Sequence, residues 1–581
     1  MKLKMENSFS ILQEQAPTLN YSDRKQAMHI VPVCTIPAEL SPQALPLGAA
    51  SIVAAINSHF EERPLDSTTT VSARLMSFPP SPTLPLDDCI NSIARQLLEL
   101  EPAAICFSLF VWNRTILAQV AAIIQREAPE IPLIAGGPEV TAGAADGDSF
   151  HYLVCGEGDE SVPELLRQLL SSDGAKKAGL PRKIFSRRAN QEQLPSPYLS
   201  GVLNPADYQD GALWELARGC PFKCAYCYES KGEKTVAYFP MERIRQELEF
   251  FAQRKVAQVF VLDPTYNAQK QRAVEILKLI RQKAPNIFFH FECRAELLDS
   301  ELVRSFSKIP CSLQIGLQSA HPEVLKLVAR SINRKEFAKK IALLNQAGVV
   351  FGFDLIYGLP GDNLAGFKES IDYAISLYPN SLEIFRLSVL PGTTLFDQRQ
   401  EMGLVAPAEP PYLVESTPQF SAPDLDKAEA LARATSYFYS RGRAVGWFHS
   451  LLKPLGCSPS VFFTRFTQFL AAQSIAIPAI QDQCSHKEIE AVQVQFITSQ
   501  YSTPKLKGML AAATDLIKLN GAFSRAYADG ETTRLSLSYH PEDLLSPYTQ
   551  DLVYFCRHAQ KNSCRIRIQP GNQGPEWRLE R

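Results

Sequence analysis

Between residues 213 and 387 the sequence alternates short apolar runs with amphipathic helical stretches, a rhythm typical of a parallel α/β fold. Six runs have the length and composition of strands, at residues 213–217, 259–262, 287–291, 312–317, 351–357 and 382–387. The intervening stretches are helical in pattern; in one, Ile244, Leu248 and Phe251 recur at i, i+4 and i+7. The pattern predicts six strand–helix units joined by right-handed crossovers.

Residues 28–170 contain a second alternation of the same kind, upstream of the first. Strands are expected at residues 28–33, 104–110, 131–137 and 152–159, and one intervening helix carries Ile116, Val120, Ile123 and Ile124 on a single face. This is a doubly wound pattern, in which ligands bind at the carboxyl ends of the strands. Two glycine-rich segments, at residues 136–139 and 156–158, follow two of the expected strands.

The domain boundaries follow from where these rhythms begin and end. We expect an N-terminal extension at 1–27, a doubly wound domain at 28–170, a linker at 171–204, the six-unit α/β domain at 205–400 and a C-terminal region at 401–581. The last region is mostly helical in pattern: Ser421 or Asp424 suits an N-cap, and further helices are expected over 459–519. Strand-like alternation returns at residues 533–539 and 565–570.

Composition excludes several classes of protein. A chain of 581 residues predicts two to four domains, and a net charge of -2 gives no sign of a nucleic-acid partner. The longest apolar window, residues 45–56, falls well short of the roughly 18–20 residues that a membrane helix needs. Thirteen cysteines, scattered and odd in number, argue against a disulfide framework. We therefore expect a reduced cytoplasmic protein with no membrane association.

Three thiols stand close together directly after the first expected strand of the 205–400 domain. Cys220, Cys224 and Cys227 lie within the segment RGCPFKCAYC, and the next His or Cys residues are His290 and Cys293. A structural zinc site normally has a fourth close ligand, a redox pair would not use Cys220, and inert buried thiols would need no such spacing. In a [4Fe–4S] cluster each thiolate binds one iron, so three ligands leave one iron open to a substrate.

The segment RGCPFKCAYC resembles the cluster loop of the radical S-adenosylmethionine (SAM) superfamily, including the aromatic Tyr226 before the last cysteine. The resemblance implies a partial (β/α)6 barrel in which the open iron chelates SAM and reductive cleavage of SAM gives a 5′-deoxyadenosyl radical. By the same resemblance SAM is expected to contact Tyr226, Glu292, Arg294, Gln314, Gln318 and the backbone at Leu390. The Gly-Gly-Glu signature of many superfamily members is missing, so the contact to the SAM amine stays unassigned.

The upstream domain resembles the Rossmann-like cobalamin-binding domain of B12-dependent radical SAM enzymes, through segments at residues 42–48, 108–113, 135–142 and 155–166. The resemblance implies cobalamin contacts at Ser108, Trp112, Asn113, Gly136, Gly137, Glu139, Gly156, Glu157 and Gly158. The Asp-x-His-x-x-Gly motif is absent, so no histidine is expected on the lower face of cobalt. Trp112 is either a lid over that face or a core residue, and the alternative for the whole domain is that it holds no cofactor.

The resemblance implies an enzyme, with a methyltransferase as the leading interpretation. One SAM would methylate cobalamin and a second would give the radical that abstracts hydrogen from an unactivated carbon, which then takes methyl from methylcobalamin. The substrate would be a small molecule or natural-product precursor, and the electrons would come from a flavodoxin or ferredoxin. Alternatives are rearrangement or cyclisation, transfer of the 3-amino-3-carboxypropyl group of SAM, and a sensor that binds cobalamin or SAM without turnover.

Overall fold

The computed structural model describes residues 27–39, 41–80, 84–171, 179–230, 235–477, 484–572 and 574–580. The expected N-terminal extension, except for its last residue, lies outside the described residues. In the part of the chain that is described, no helix has both the length and the apolar character needed to cross a membrane.

The first unit is a sheet with helices on both faces. Its strands are β1 (Ala27–Thr35), β2 (Thr69–Ser77), β3 (Ile105–Ser108), β4 (Leu133–Gly136), β5 (Tyr152–Cys155) and β6 (Lys183–Phe185). Its helices are α1 (Leu47–Glu62), α2 (Leu86–Leu98), α3 (Arg114–Glu127), α4 (Pro138–Thr141) and α5 (Gly158–Leu170). The strands are parallel in the order β2-β1-β3-β4-β5-β6. Separate apolar cores fill its two faces, as a doubly wound fold requires.

The second unit is the α/β domain that contains the cysteine trio. Its strands are β7 (Gly211–Trp214), β8 (Ala217–Arg218), β9 (Ala237–Tyr238), β10 (Gln258–Val261), β11 (Phe288–Cys293), β12 (Cys311–Gln318), β13 (Val350–Tyr357) and β14 (Ser381–Arg386). Its helices are α6 (Met241–Gln253), α7 (Lys270–Lys283), α8 (Ser300–Phe306), α9 (Pro322–Leu327), α10 (Arg334–Ala347), α11 (Leu364–Ser376) and α12 (Thr394–Asp397). Six strands form a parallel sheet in the order β14-β13-β12-β11-β10-β7. Its two outer strands do not pair among the described residues, so the barrel is open.

The C-terminal region is mostly helical and continues the core of the second unit. Its helices are α13 (Ala422–Thr435), α14 (Phe448–Leu455), α15 (Pro459–Ala472), α16 (His486–Gln500), α17 (Leu510–Ala528), α18 (Pro541–Leu544) and α19 (Leu552–His558), with a π-helix at Ser436–Arg441 directly after α13. An antiparallel sheet of β15 (Thr533–Leu537), β16 (Cys564–Gln569) and β17 (Glu576–Glu580) ends the chain. One apolar cluster runs from Trp214 in β7 to Ile568 in β16.

The predicted fold class is confirmed: a doubly wound unit, an open six-strand α/β barrel and a helical C-terminal region follow one another. All six runs predicted between residues 213 and 387 coincide with strands of the second sheet. Ser421 is the N-cap of α13 and accepts a hydrogen bond from the Asp424 amide. The sequence analysis missed two strands of the first sheet, β2 and β6, both of which lie at its edges.

Candidate functional site

The cysteine loop begins where β7 ends, and a buried carboxylate fixes its start. One oxygen of Asp263, just beyond β10, accepts hydrogen bonds of 2.9 Å from the amides of Leu216 and Ala217. Within the loop Cys224 is buried and Cys220 and Cys227 are half-buried. The Cys220 Sγ lies 3.7 Å from the Thr265 hydroxyl, which follows the same strand end as Asp263. Strand ends of the barrel therefore hold the amino-terminal side of the loop.

Arg330, which the sequence analysis did not single out, anchors the other side of the loop. Its guanidinium donates to the Cys224 Sγ at 3.9 Å and to the Tyr226 hydroxyl at 3.4 Å. It also donates to the carbonyl of Gly316 in β12. No local sequence signal marks this arginine, because it lies 106 positions from Cys224 and meets it only through the fold.

Backbone hydrogen bonds join the cysteine loop to two further segments. The Ala225 amide donates to the Val328 carbonyl at 3.0 Å, and the Ala225 carbonyl accepts from the Leu395 amide at 2.8 Å. The second bond places the loop beside the segment that starts at Leu390, whose carbonyl accepts from the Thr393 hydroxyl at 2.8 Å. The predicted SAM contact at Leu390 is thus in the neighbourhood of the cysteine trio.

The donor set of the loop suits an iron–sulfur cluster. Among the described residues no three His, Cys, Asp or Glu side chains are grouped as the ligands of a single metal ion would be. A cluster differs from a single ion in that each thiolate binds its own iron. The loop offers three thiol groups with limited solvent access, and a guanidinium donates a hydrogen bond to one of the sulfur atoms. Solvent access and hydrogen bonds to sulfur help to set the reduction potential of such clusters.

One face of the second sheet carries polar residues in register, and we call it the polar face. Glu292 in β11 pairs with Gln314 in β12, and Asp354 in β13 pairs with Glu383 in β14. Gln314 Nε2 donates to Asp354 Oδ1 at 2.6 Å. Loss of hydration, then the negative charge of Asp354, raises the pKa of Glu292 and of Glu383 to about 7 each. Glu292 and Gln314 were predicted; Asp354 and Glu383 were missed.

The structure places the remaining predicted SAM residues around the same loop. The Arg294 guanidinium lies 3.7 Å from the centre of the Phe222 ring within the loop and pairs with Glu296 at 2.6 Å. Gln318 ends β12 with a φ of 67°, is 8% exposed, and its side-chain oxygen has no hydrogen-bond partner among the described residues. A buried acceptor without a partner is costly, so this oxygen is a candidate ligand contact.

An ion cluster joins the first unit to the cysteine loop. Arg218, two residues before Cys220, pairs at 2.9 Å with both Glu157 and Asp159 and at 3.1 Å with Glu215. Glu157, predicted from the resemblance to contact cobalamin, therefore meets the loop's arginine. Arg218 is only 16% exposed, so these contacts fix the position of the first unit against the base of the loop.

The carboxyl edge of the first sheet brings the other predicted cobalamin residues together. Ser108 and Gly136 are paired in register at the ends of β3 and β4. Asn113 is fully buried: its oxygen accepts from the Phe110 amide at 2.8 Å and its nitrogen donates to the Ile36 and Ser108 carbonyls. Trp112 is 48% exposed and stacks on Phe110 with ring centroids 4.5 Å apart, so it is not a core residue.

Packing within the fold accounts for three of the four predicted glycines. Gly137 has a φ of 105°, and a Cβ there would lie 2.5 Å from the Leu109 carbonyl oxygen. A Cβ at Gly156 would lie 3.2 Å from the Ser186 carbonyl oxygen, and one at Gly158 would lie 2.9 Å from the Ile52 side chain. Gly136 has nothing nearer than 3.8 Å. The space beside Gly136 and the exposed face of Trp112 are thus the features of this edge that fit a large ligand.

Glu139, the last predicted cobalamin residue, is 4% exposed and accepts a 2.6 Å hydrogen bond from the Tyr412 hydroxyl. Arg114 lies 3.9 Å from the same carboxylate and bonds to Asp148 at 3.0 Å. Burial raises the pKa of Glu139, while the hydrogen bond from Tyr412 and the charge of Arg114 act in the opposite direction. This network ties the first unit to the segment after the barrel, whose Tyr412 carbonyl accepts from the Val389 amide.

Comparison with known proteins agrees with this geometry. The model of the radical SAM superfamily matches residues 214–374. The chain is 26% identical over 370 residues to 2-(S-pantetheinyl)-carbapenam-3-carboxylate methyltransferase of Streptantibioticus cattleyicolor, which covers 57% of this chain and 53% of the relative. It is 25% identical over 337 residues to the cobalamin-dependent radical SAM methyltransferase TokK of Streptomyces tokunonensis, covering 51% and 48% respectively. The chain thus spans about half the length of these relatives.

The structure resembles that of the cobalamin-dependent SAM radical enzyme OxsB with aqua-cobalamin and SAM bound. The TM-score is 0.54 over 82% of this chain and 80% of OxsB, at 14% identity, which is a likeness of fold. The cysteine loop, the polar face beside it and these comparisons lead to one conclusion. Residues 214–374 match the radical SAM superfamily, and the chain as a whole is similar to cobalamin-dependent radical SAM methyltransferases.

Proposed function

We propose that this chain is a cobalamin-dependent radical SAM enzyme that methylates an unactivated carbon of a small molecule or natural-product precursor. The observation that carries the proposal is the loop of Cys220, Cys224 and Cys227, held between barrel strand ends on one side and Arg330 on the other. The upstream doubly wound unit and the methyltransferase relatives support the choice of methyl transfer among radical SAM outcomes.

The residues of the loop and the polar face would share the work of binding the cofactors. The three cysteines would hold a [4Fe–4S] cluster, which together with SAM and cobalamin supplies the radical and the methyl group. Arg330, with its hydrogen bond to Cys224, stabilises negative charge on that sulfur. Tyr226, Glu292, Arg294, Gln314, Gln318 and the Leu390 backbone are the proposed SAM contacts, to which the geometry adds Asp354.

The first unit would hold cobalamin at the carboxyl edge of its sheet. The proposed contacts are Ser108, Trp112, Asn113, Gly136, Gly137, Glu139, Gly156, Glu157 and Gly158. Of these, Trp112 is half exposed and Gly136 has open space beside it, whereas Asn113, Glu139 and Glu157 shape the edge through internal contacts. The ion cluster at Arg218 then fixes this edge relative to the cysteine loop, which positions the two cofactors for one substrate.

We also propose that the protein works in the cytoplasm and receives electrons from a flavodoxin or ferredoxin. Low-potential electrons are required because reductive cleavage of SAM begins at the cluster. A small-molecule substrate fits the relatives, one of which is named for a carbapenam carboxylate.

The test is to count the products formed from SAM by the reduced, anaerobically reconstituted full chain with candidate substrates. Methyl transfer predicts 5′-deoxyadenosine and S-adenosylhomocysteine together with a methylated product. Methylthioadenosine in their place would favour transfer of the 3-amino-3-carboxypropyl group. Binding of SAM with no cleavage under strong reductant would contradict the proposal and favour a sensor.

A further inference from the structure

We propose that the cavity between β14 and the C-terminal region binds a carboxylate group of the substrate, and this inference rests on the proposed function. The cavity has a volume of about 330 Å³, within the size range of small-molecule sites. Strand β14 forms one wall, and α13 and the π-helix Ser436–Arg441 form the other. π-helices occur frequently at functional sites.

The cavity lies where an exposed sheet edge is left uncovered. Strand β14 is the outer strand of its sheet, and such edges are normally covered by other elements. Ser440 of the π-helix covers it at Leu382, accepting from the amide at 2.8 Å and donating to the carbonyl at 3.1 Å. Beyond the strand, the Val414 amide donates to the Leu387 carbonyl at 2.8 Å. The stretch around Ile384, between these two covers, faces the cavity.

The backbone at Ile384 can therefore bind a ligand. Peptide groups along a strand point alternately to its two edges, so the amide and carbonyl of Ile384 point the same way as those of Leu382. Because Leu382 bonds to the C-terminal region, Ile384 presents one donor and one acceptor toward the cavity. This is the arrangement that an extended amide or carboxylate group recognises on a sheet edge.

The charges that line the cavity favour an anion. Three arginines, Arg386, Arg433 and Arg441, face two acids, Glu383 and Glu429. Arg386 lies 3.4 Å from Glu429, which offsets that charge. Burial and the charge of Asp354 raise the pKa of Glu383 to about 7, so this acid is partly neutral at neutral pH. Three guanidinium groups against two carboxyl groups give the lining a net positive charge, and Arg433, which also donates to the Ile477 carbonyl at 2.7 Å, lies on the wall where it can meet a carboxylate.

The cavity is within reach of the cysteine loop. Glu383, which lines the cavity, is paired in register with Asp354 in β13, and Asp354 is paired with Gly316 in β12. The Gly316 carbonyl accepts a hydrogen bond from Arg330, which also contacts Cys224. Two strand spacings separate Gly316 from Glu383, or about 10 Å. A substrate anchored by its carboxylate in the cavity can thus extend across the polar face toward the proposed SAM site.

The test measures binding of a simple probe to the full chain with its cluster reconstituted. The probe is N-acetylglycine, an amide with a carboxylate, and its neutral counterpart is N-acetylglycinamide; calorimetry gives both dissociation constants. We expect the carboxylate to bind about tenfold more tightly than the neutral amide. Arg433→Gln should weaken the carboxylate probe by roughly fivefold and leave the neutral amide unchanged.

The matched control is Lys427→Gln, which removes a positive charge from the same helix α13 at an exposed pair with Asp424. It should bind the probe as the unaltered chain does. Arg433→Lys keeps the charge and should restore most of the affinity, which separates a binding role from a folding defect. Equal affinity for the two probes, no binding of either, or unchanged binding of the carboxylate probe in Arg433→Gln would overturn the proposal. Since SAM is not consumed, this result is independent of whether the proposed methyl transfer occurs.

Discussion

Substitution of Arg218 by glutamine should destabilise the junction between the first unit and the cysteine loop. Arg218 pairs with three carboxylates at 2.9–3.1 Å, and its side chain is only 16% exposed. Removing one partner of a largely buried ion pair costs about 3–5 kcal/mol, and the partial exposure of Glu157 and Glu215 places this case near the lower end, about 3 kcal/mol. For units of this size the thermal midpoint should fall by about 6–12 °C.

The pH dependence gives a sharper test than the midpoint alone. In Arg218→Gln the carboxylates of Glu157, Asp159 and Glu215 would lie close together without a cation, and burial already raises the pKa of Glu215. Raised folded-state pKa values mean that the folded chain binds more protons than the unfolded chain, so stability falls as pH rises through them. The deficit relative to the unaltered chain should therefore be larger at about pH 8 than at about pH 5.

Calorimetric scans of both chains at several pH values provide the measurement. Arg245→Gln is the control, because its pair with Glu242 at 3.1 Å is more than half exposed. That substitution should cost less than about 1 kcal/mol at every pH. A loss in Arg218→Gln as small as in the control, or one that does not vary with pH, would refute the reasoning.

Three further predictions test other parts of the structure. Gly137→Ala should lower the unfolding free energy by at least about 3 kcal/mol, because of backbone strain and overlap with a carbonyl oxygen. Its control, Gly136→Ala, should change the unfolding free energy by less than about 0.5 kcal/mol. Urea titration measures both, and equal costs would contradict the packing account. Tyr412→Phe removes the buried hydrogen bond to Glu139 and should lower stability by about 1–3 kcal/mol in the same assay. Glu383→Gln should gain stability relative to the unaltered chain as pH rises from 4.5 toward about 7, because the folded-state pKa of Glu383 is raised. A stability difference that stays constant with pH would show that the pKa of Glu383 is not raised in the folded chain.

The sequence predicted the second sheet well because its strands are buried runs between amphipathic helices. Strands β10, β11 and β12 alternate buried residues with more exposed ones over four to eight positions, a pattern that can be read from the sequence. Strand β6 has three residues at the sheet edge, and its Phe185 is 78% exposed, so it has no burial pattern. Strand β2 alternates the apolar residues Val71, Ala73 and Leu75 with polar ones, a strand pattern that the sequence analysis missed.

The residues of the candidate site likewise fall into those that the sequence singles out and those that only the fold brings together. The cysteine trio could be singled out because its three thiols lie close together in the sequence, whereas Glu292 and Gln314 were expected only through the family resemblance. Arg330 and Arg218 were not predicted as site residues, since their partners lie in other segments and only the fold brings them together. For Gly137 the structure adds a constraint that the sequence does not show, because a Cβ there would meet the Leu109 backbone.

The central claim is that Cys220, Cys224 and Cys227 together hold one [4Fe–4S] cluster able to bind SAM. Electron paramagnetic resonance of the anaerobically reconstituted, reduced chain, with and without SAM, tests it directly. The account predicts a cluster signal that shifts when SAM is added, is absent in Cys224→Ala, and is unchanged in Cys457→Ala, which removes a half-buried thiol outside the loop. A signal that survives in Cys224→Ala, or one that SAM leaves unaltered, would contradict the account.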